Sequence, residues 1–322
     1  MSFELPPDLA AALESLAEGV PGRQIAERAQ AISAHYRQDR PSHGVIEGEL
    51  DAIAYALTRL PATYAAVSAA LAAMLERAPD FRPASVADVG CGPATASLAA
   101  LSTFDSIETL DLIDGNAAML ELARRLLPSG APTATLRQAD LRAVDPAAAD
   151  LVIAAYVLTE APEEKAMAIA VRLWNAARGA LVIVEPGTPR AWGRIVAVRS
   201  TLISNGARIA APCPHEAACP LAAPDWCHFS QRLARRRAHR MAKGADVPYE
   251  DEKFTYLVAL KPGVELDPPQ PRVLAPPIQE KAGLRMKLCA PSGDAVILQA
   301  PRREKVVFRT LRGVRWGDTL DL

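Results

Sequence analysis

Aromatic side chains are scarce, at 5% of 322 residues, and no net charge accumulates: 36 Lys+Arg stand against 37 Asp+Glu, leaving −1. Half the residues are hydrophobic, so a core with few rings must be built from Ala, Leu, Val and Ile. The balanced charge excludes a globally basic nucleic-acid binder and leaves local patches open. Glycines are few beside prolines, 18 against 27, which predicts long rigid connections. Long apolar runs are missing too. The most apolar window, residues 62–75, is too short to span a bilayer, so no membrane partner is expected. The first residues carry Glu4, Asp8, Glu14 and Glu18 with no basic stretch before an apolar run, which reads as neither a secretory signal nor a transit peptide. Only five cysteines occur, and three of them cluster. Clustered thiols in a soluble protein of a reducing, cytoplasmic setting favour metal over disulfides.

What is present falls into three regions. Residues 1–80 read as helical, with Leu9, Leu13, Leu16 and Val20 at helical spacing and Pro61 opening a second strong helix that ends near Arg77. From Ser85 the pattern changes: 86–89, 107–113, 133–137, 151–155 and 180–184 read as strands, and 94–101, 117–127, 163–177 and 192–203 as helices. Such alternation predicts an α/β domain over 81–262, with a parallel sheet covered on both faces. A Pro- and Cys-rich loop (211–227) and a basic helix (228–243) form an insertion at 207–250 ahead of a last strand at 254–260. Residues 263–322 read as a Pro-rich connection, a hairpin with arms at 284–289 and 295–299, and a basic tail.

Three constellations carry chemistry. The first is Asp88-Val-Gly90-Cys91-Gly92-Pro-Ala94, at the end of the first predicted strand. Glycines there let backbone approach a ligand at a helix N-terminus. A dinucleotide loop wants a third glycine where Thr95 stands, and instead an acid precedes Gly90 by two residues. This resembles the first motif of class I S-adenosylmethionine (SAM)-dependent methyltransferases, in which the loop passes around the methionine moiety. By the same resemblance Asp114, ending the second strand, takes the ribose hydroxyls, and Asp140, after the third, takes the adenine edge.

The second constellation is Cys213, Cys219 and Cys227, spaced C-x5-C-x7-C, with Cys289 far downstream. Four thiolates suit a tetrahedral zinc or an iron–sulfur cluster. Structural zinc sites usually bring ligands in tight pairs, whereas this wide spacing, with Pro214 and Pro220 after two of the cysteines, suits a 4Fe–4S cubane. Zinc stays open because His215 or His228 can replace a thiolate. Cys91 is accounted for by the glycine loop. The third constellation is Arg232, Arg235, Arg236, Arg240 and Lys243, which on one helix share a face with no acid between 228 and 243. Beside a metal-stapled loop they read as phosphate-backbone contacts.

The segments Ala-Pro-Cys213-Pro-His215, Cys219-Pro-Leu, Trp226-Cys227-His228-Phe-Ser-Gln-Arg232 and Tyr249-Glu-Asp-Glu-Lys253-Phe together resemble a methyltransferase-like family of small-ribosomal-subunit assembly factors, found in bacteria and mitochondria. The resemblance covers the sheet domain and everything after it. It implies a class I (Rossmann-like) methyltransferase fold, SAM in the glycine loop, a 4Fe–4S cluster on the four cysteines, and small-subunit ribosomal RNA as partner. No catalytic residue is assigned: after the fourth strand the chain reads Ala154-Ala155-Tyr156-Val-Leu-Thr159-Glu160, without the Asn/Asp-Pro-Pro-aromatic motif of base amino-group methyltransferases. Tyr156, Glu160 and Glu185 border the substrate side, each more readily explained as a structural residue. Two other readings share these features: a non-enzymatic RNA-binding assembly factor with a vestigial pocket, and a small-molecule methyltransferase with a zinc-stapled lid.

Overall fold

The computed structural model describes residues 3–36, 44–141 and 143–321, so the helical reading of 1–80 falls outside the described residues at 1–2 and 37–43. Three helices come first: α1 (Pro7–Ser15), α2 (Gly22–Tyr36) and α3 (Glu49–Leu75). The expected break at Pro61 does not occur; Pro61 lies inside the long α3. Its missing N–H weakens one turn. Burial of α3 on nearly every side, from Ala52 to Met74, outweighs that loss.

Strands and helices then alternate: β1 (Ser85–Val89), α4 (Thr95–Thr103), β2 (Thr109–Asp114), α5 (Ala117–Leu126), β3 (Thr133–Gln138), β4 (Ala149–Ala155), α6 (Glu163–Ala176), β5 (Ala177–Pro186) and α7 (Pro189–Ser204). Next come β6 (Arg208–Ala211), β7 (Phe229–Ala234), α8 (Arg237–Lys243) and β8 (Tyr249–Leu260). The sheet order is β3-β2-β1-β4-β5-β8-β6. Strands β1 to β5 are parallel, and β8 runs antiparallel to β5 and β6. Pro186, the last residue of β5, pairs with Phe254, and the part of β8 before it continues past that end to pair with β7. This is the expected α/β, Rossmann-like class I methyltransferase sheet. Ala, Leu, Val and Ile fill its two faces, with α1 to α5 over one and α6 and α7 over the other. Strand order reverses between β1 and β4, which opens a crevice at their carboxyl ends.

The basic segment departs from expectation. Residues 229–234 form β7, with Phe229 and Leu233 buried and Arg232 outward, and only Arg237–Lys243 is helical. The single basic face is therefore split between a strand and a short helix. Free β8 edge was available for pairing, and Phe229 and Leu233 sit on one face at strand spacing, a signal masked by the run of arginines. The final unit contains β9 (Arg272–Val273), β10 (Ile278–Gln279), β11 (Gly283–Cys289), β12 (Ala295–Pro301) and α9 (Lys305–Leu311). It has its own small core around Val273, Leu284, Met286, Leu288, Leu311 and Leu320. No described helix is long and apolar enough to cross a membrane.

Candidate functional site

At the end of β1 the backbone turns through Gly90 (φ +73°), Gly92 (φ +53°) and Ala94 (φ +62°). The Gly90 and Cys91 amides donate to Ile113 O at 2.8 and 3.0 Å, tying the loop to β2. Asp114 completes that tie: its Oδ2 accepts from Gly92 N and its Oδ1 from Asn116 N, both at 2.8 Å. Asn116 caps α5 and also donates to Ile46 O at 2.7 Å, which brings the segment before α3 to the crevice. Asp88 is buried beneath the loop. Its Oδ2 accepts from Ser97 N and Oγ at 2.9 and 2.8 Å, while Oδ1 has no partner. Burial pushes the Asp88 carboxyl up to about 7 despite the Ser97 hydrogen bonds. Asp140 is exposed two residues past β3, and the neighbouring Ala139 N donates to Asp114 O at 3.0 Å. Asp88 and Asp114 thus stand near the carboxyl ends of β1 and β2, and Asp140 just past that of β3, the next strand in the sheet. Cys91 is buried in the loop, apart from the other cysteines in the sequence and in the fold.

Gly90 meets two demands at once. A Cβ there would stand 2.4 Å from Val157 Cγ2, at a φ that L-residues rarely adopt. Gly90→Ala is expected to destabilise the protein by about 2 kcal/mol, read as a lowered melting temperature; an unchanged melt would show that the loop after β4 yields freely.

That loop is held from below. Glu185, fully buried near the end of β5, accepts from Val157 N, Leu158 N, Thr159 N and Thr159 Oγ1 at 2.6–3.2 Å. Burial raises its carboxyl to about 7, against the four donors. Its role is to shape the loop. Tyr156 sits at φ +60°, and its hydroxyl donates to Glu252 Oε1 at 2.7 Å. Arg59 of α3 donates to the same oxygen at 3.1 Å and lies 5.7 Å from the Tyr156 ring centroid. Arg59 and Glu252, 193 positions apart, thereby fill the side of the crevice beside β4. No local motif announces this pair.

The second site lies beyond β6. Cys213, Cys219, Cys227 and Cys289 all line one pocket, together with Pro212, Pro220, Leu221, Leu274 and Arg199. Burial raises the thiols of Cys213 and Cys227, and pushes Cys289 up to about 12; in each case proximity to other thiols of the set adds to the shift. Two buried cations face this sulfur-rich space. Arg199 donates to His215 O at 2.5 Å and leaves Nε unpartnered, and Arg272 is held by Glu76 Oε2 at 3.0 Å and Gly317 O at 2.9 Å. His215 Nε2 is 3.2 Å from Cys289 Sγ. His228 instead stacks on Trp226 and meets Trp316 edge-on, with ring centroids 4.8 Å apart in each pair. Among the described residues, no group of three or more His, Cys, Asp or Glu side chains is arranged to hold a metal ion.

Of the five expected phosphate contacts, Arg235 and Lys243 turn inward. Arg235 and Lys243 reach Glu250, at 3.2 and 2.5 Å, with His239 at 3.3 Å from the same carboxylate. Burial works against the Glu250 charge, yet hydrogen bonds from His239 and Lys243 hold it well below the usual range. Arg232 forms a two-pronged pair with Asp251, both bonds 2.7 Å, over the Tyr249 ring. Arg236 and Arg240 remain exposed without an acidic partner.

Human "Ribosome assembly protein METTL17, mitochondrial" is 29% identical over 289 residues, covering 83% of this chain and 62% of that protein. "Rsm22-cox11 tandem protein 2, mitochondrial" of Schizosaccharomyces pombe is 26% identical over 292 residues, covering 74% of this chain and 38% of that protein. The chain therefore spans less than two thirds of the length of these relatives. Among solved structures, magnesium protoporphyrin IX methyltransferase from Synechocystis with bound SAM is 17% identical over 76% of this chain and 99% of its own, with a TM-score of 0.41. A putative RNA methyltransferase from Pyrococcus horikoshii is 12% identical over 63% of this chain and 84% of its own, with a TM-score of 0.42. The expected cytoplasmic setting is overturned: these relatives are mitochondrial proteins and point to the mitochondrion. An acidic first stretch was too weak a basis for assigning a compartment. Residues 49–321 match the family described as "Mitochondrial small ribosomal subunit Rsm22", so the chain belongs to the Rsm22 family.

Proposed function

We propose that this protein is a SAM-binding, 4Fe–4S-holding factor of small-ribosomal-subunit assembly that acts on ribosomal RNA. The observation that carries this reading is the meeting of four cysteines from two distant segments around one cavity, beside a methyltransferase sheet with an unfilled acid. Cys213, Cys219, Cys227 and Cys289 hold the cluster. Zinc would draw four thiolates to about 2.3 Å from one centre and usually takes them in tight pairs; the wide C-x5-C-x7-C spacing in the sequence supports the larger group. Thiols lose their protons on binding a metal, and Arg199 and Arg272 offset the charge that results.

In the crevice, Asp114 braces the glycine loop and Asp140 borders the adenine end. The free Asp88 Oδ1 supports the methionine end. Bound SAM supplies an electrophilic methyl group on a sulfonium. The residues on the acceptor side favour binding over transfer. The Tyr156 hydroxyl already donates to Glu252, and Arg59 neutralises that carboxylate, so neither group is poised to remove a proton from an acceptor. This supports the assembly-factor reading with SAM as ligand. Arg232, Arg236 and Arg240 remain the outward part of the phosphate-binding segment, with Arg235 and Lys243 bracing it through Glu250.

Calorimetric titration of the full chain with SAM tests the crevice. Saturable binding is expected, and its absence would remove SAM from the account. The binding has a pH signature. Ionised Asp88 attracts cationic SAM, so affinity should rise as pH climbs through about 7, approaching tenfold per unit below that value. Asp88→Asn should flatten the profile. Without ligand the sign is opposite for stability. The raised native pKa means the folded state holds a proton that the unfolded state has lost, so the Asp88 contribution to stability falls as pH rises from about 4 to about 7.

A further inference from the structure

We infer that a second nucleic-acid surface lies on the C-terminal unit, formed by α9 and the segments flanking it, and that it binds the phosphate backbone of structured RNA. The inference rests on the RNA reading above and moves its main electrostatic contact to another part of the molecule. Residues 302–315 contain Arg302, Arg303, Lys305, Arg309, Arg312 and Arg315, against one acid, Glu304. All six basic side chains are exposed. Arg302 lies over the Phe308 ring, 5.4 Å from its centroid. Among the described residues, none of the six enters an ion pair of the kind that ties Arg232 to Asp251 or Arg235 and Lys243 to Glu250. Of the six Arg and Lys residues in 232–243, Arg232, Arg235 and Lys243 are therefore paired with acids, whereas the charge of 302–315 is available.

The fold turns these residues outward. Leu311 is buried in the small C-terminal core and Phe308 packs against it, which fixes the inner face of α9. Val306 is 79% exposed, so the opposite face of the helix, with Lys305 and Arg309 beside it, meets solvent. The outer face of the neighbouring hairpin adds Arg285, in register with Gln299, and the exposed Ile297. Guanidinium groups in such an array match phosphate oxygens in fork geometry. The surface between them is aliphatic. Unstacked bases are held on exposed rings, but in α9 and β12 the single ring, that of Phe308, lies under Arg302. Charge without a stacking platform selects the backbone of a folded duplex region over the bases of a single strand.

The test uses the full chain with Arg303→Glu, Arg309→Glu and Arg312→Glu combined. Binding to a mixed-sequence RNA duplex, and to a single strand of the same composition, is measured from 50 to 300 mM salt. Unchanged far-UV circular dichroism and melting temperature check folding. The reversal should weaken duplex binding at least tenfold and reduce the log–log salt slope by about 2. The matching Arg→Lys triple variant should keep most of the affinity. Wild-type slope and affinity in the reversed variant would overturn this surface and leave the RNA reading standing. Absence of wild-type binding to either RNA at 50 mM salt would overturn both. Tighter wild-type binding to the single strand, lost in the reversed variant, would overturn the assignment to duplex backbone.

Discussion

Cys219→Ser is expected to leave the protein without its metal group and with an undocked C-terminal unit. Three of the four thiols belong to the loop after β6, and the fourth, Cys289, ends β11. A group bound to all four joins segments that are far apart in the chain, so its binding free energy is also folding free energy. Removing one ligand leaves Cys213, Cys227 and Cys289 around a sulfur-lined void, and Arg199 buried with its Nε unpartnered and no anion to face. An uncompensated buried charge of this kind costs about 3 kcal/mol or more. Limited proteolysis should then cut between 212 and 228, in a loop that the ring contacts of His228 with Trp226 and Trp316 and the Lys287–Asp225 ion pair cannot hold alone. Cys91→Ser is the control, since Cys91 lies in the glycine loop; it should keep the metal. Full metal content in Cys219→Ser would remove Cys219 from the ligand set.

Arg59→Met should also be severe. Glu252 has 10% of its side chain exposed and shares one oxygen between Arg59 and the Tyr156 hydroxyl. Without the guanidinium the carboxylate keeps only the phenol, and breaking such a pair typically costs about 3 kcal/mol. The melting temperature should fall by roughly 5–8 °C. Adding Glu252→Gln should restore part of the loss, because the amide carries no charge and still accepts the Tyr156 hydrogen bond. A coupling energy below about 0.5 kcal/mol in that cycle would mean that the pair does not lock the crevice. The double variant also asks whether the acceptor side can be opened. SAM should still bind, since Asp88 and Asp114 are untouched.

The parts of the molecule legible in the sequence are those encoded by local pattern. The parallel strands announce themselves as short apolar runs, and β1 (Ser85–Val89) and β4 (Ala149–Ala155) lie within a residue or two of their expected bounds. Gly90, Gly92, Asp88 and Asp114 are also readable, because a glycine turn after a strand has a narrow sequence form. Long-range pairs have no such form. Arg59 with Glu252, and Arg199 and Arg272 beside the cysteines, become neighbours only when distant segments pack. The arginine-rich stretch misled for a related reason. Charge pattern shows that a segment is polar but not which acids the fold will set opposite it, and here Glu250 and Asp251 lie across the ladder from Leu233 and Arg232. α9 is not legible because two of its four apolar residues, Val306 and Val307, face outward and blur the helical period. The family resemblance was readable because its cysteine block is unusual, whereas the compartment was not.

The central claim is that two distant parts of the chain are held together by one multi-iron group on Cys213, Cys219, Cys227 and Cys289. Its most direct test is iron, acid-labile sulfide and zinc per chain in protein purified without oxygen. About four irons and about four sulfides per chain are expected, with visible absorption that Cys219→Ser abolishes. One zinc per chain without sulfide, or metal-free protein that melts at the same temperature as Cys219→Ser, would contradict it.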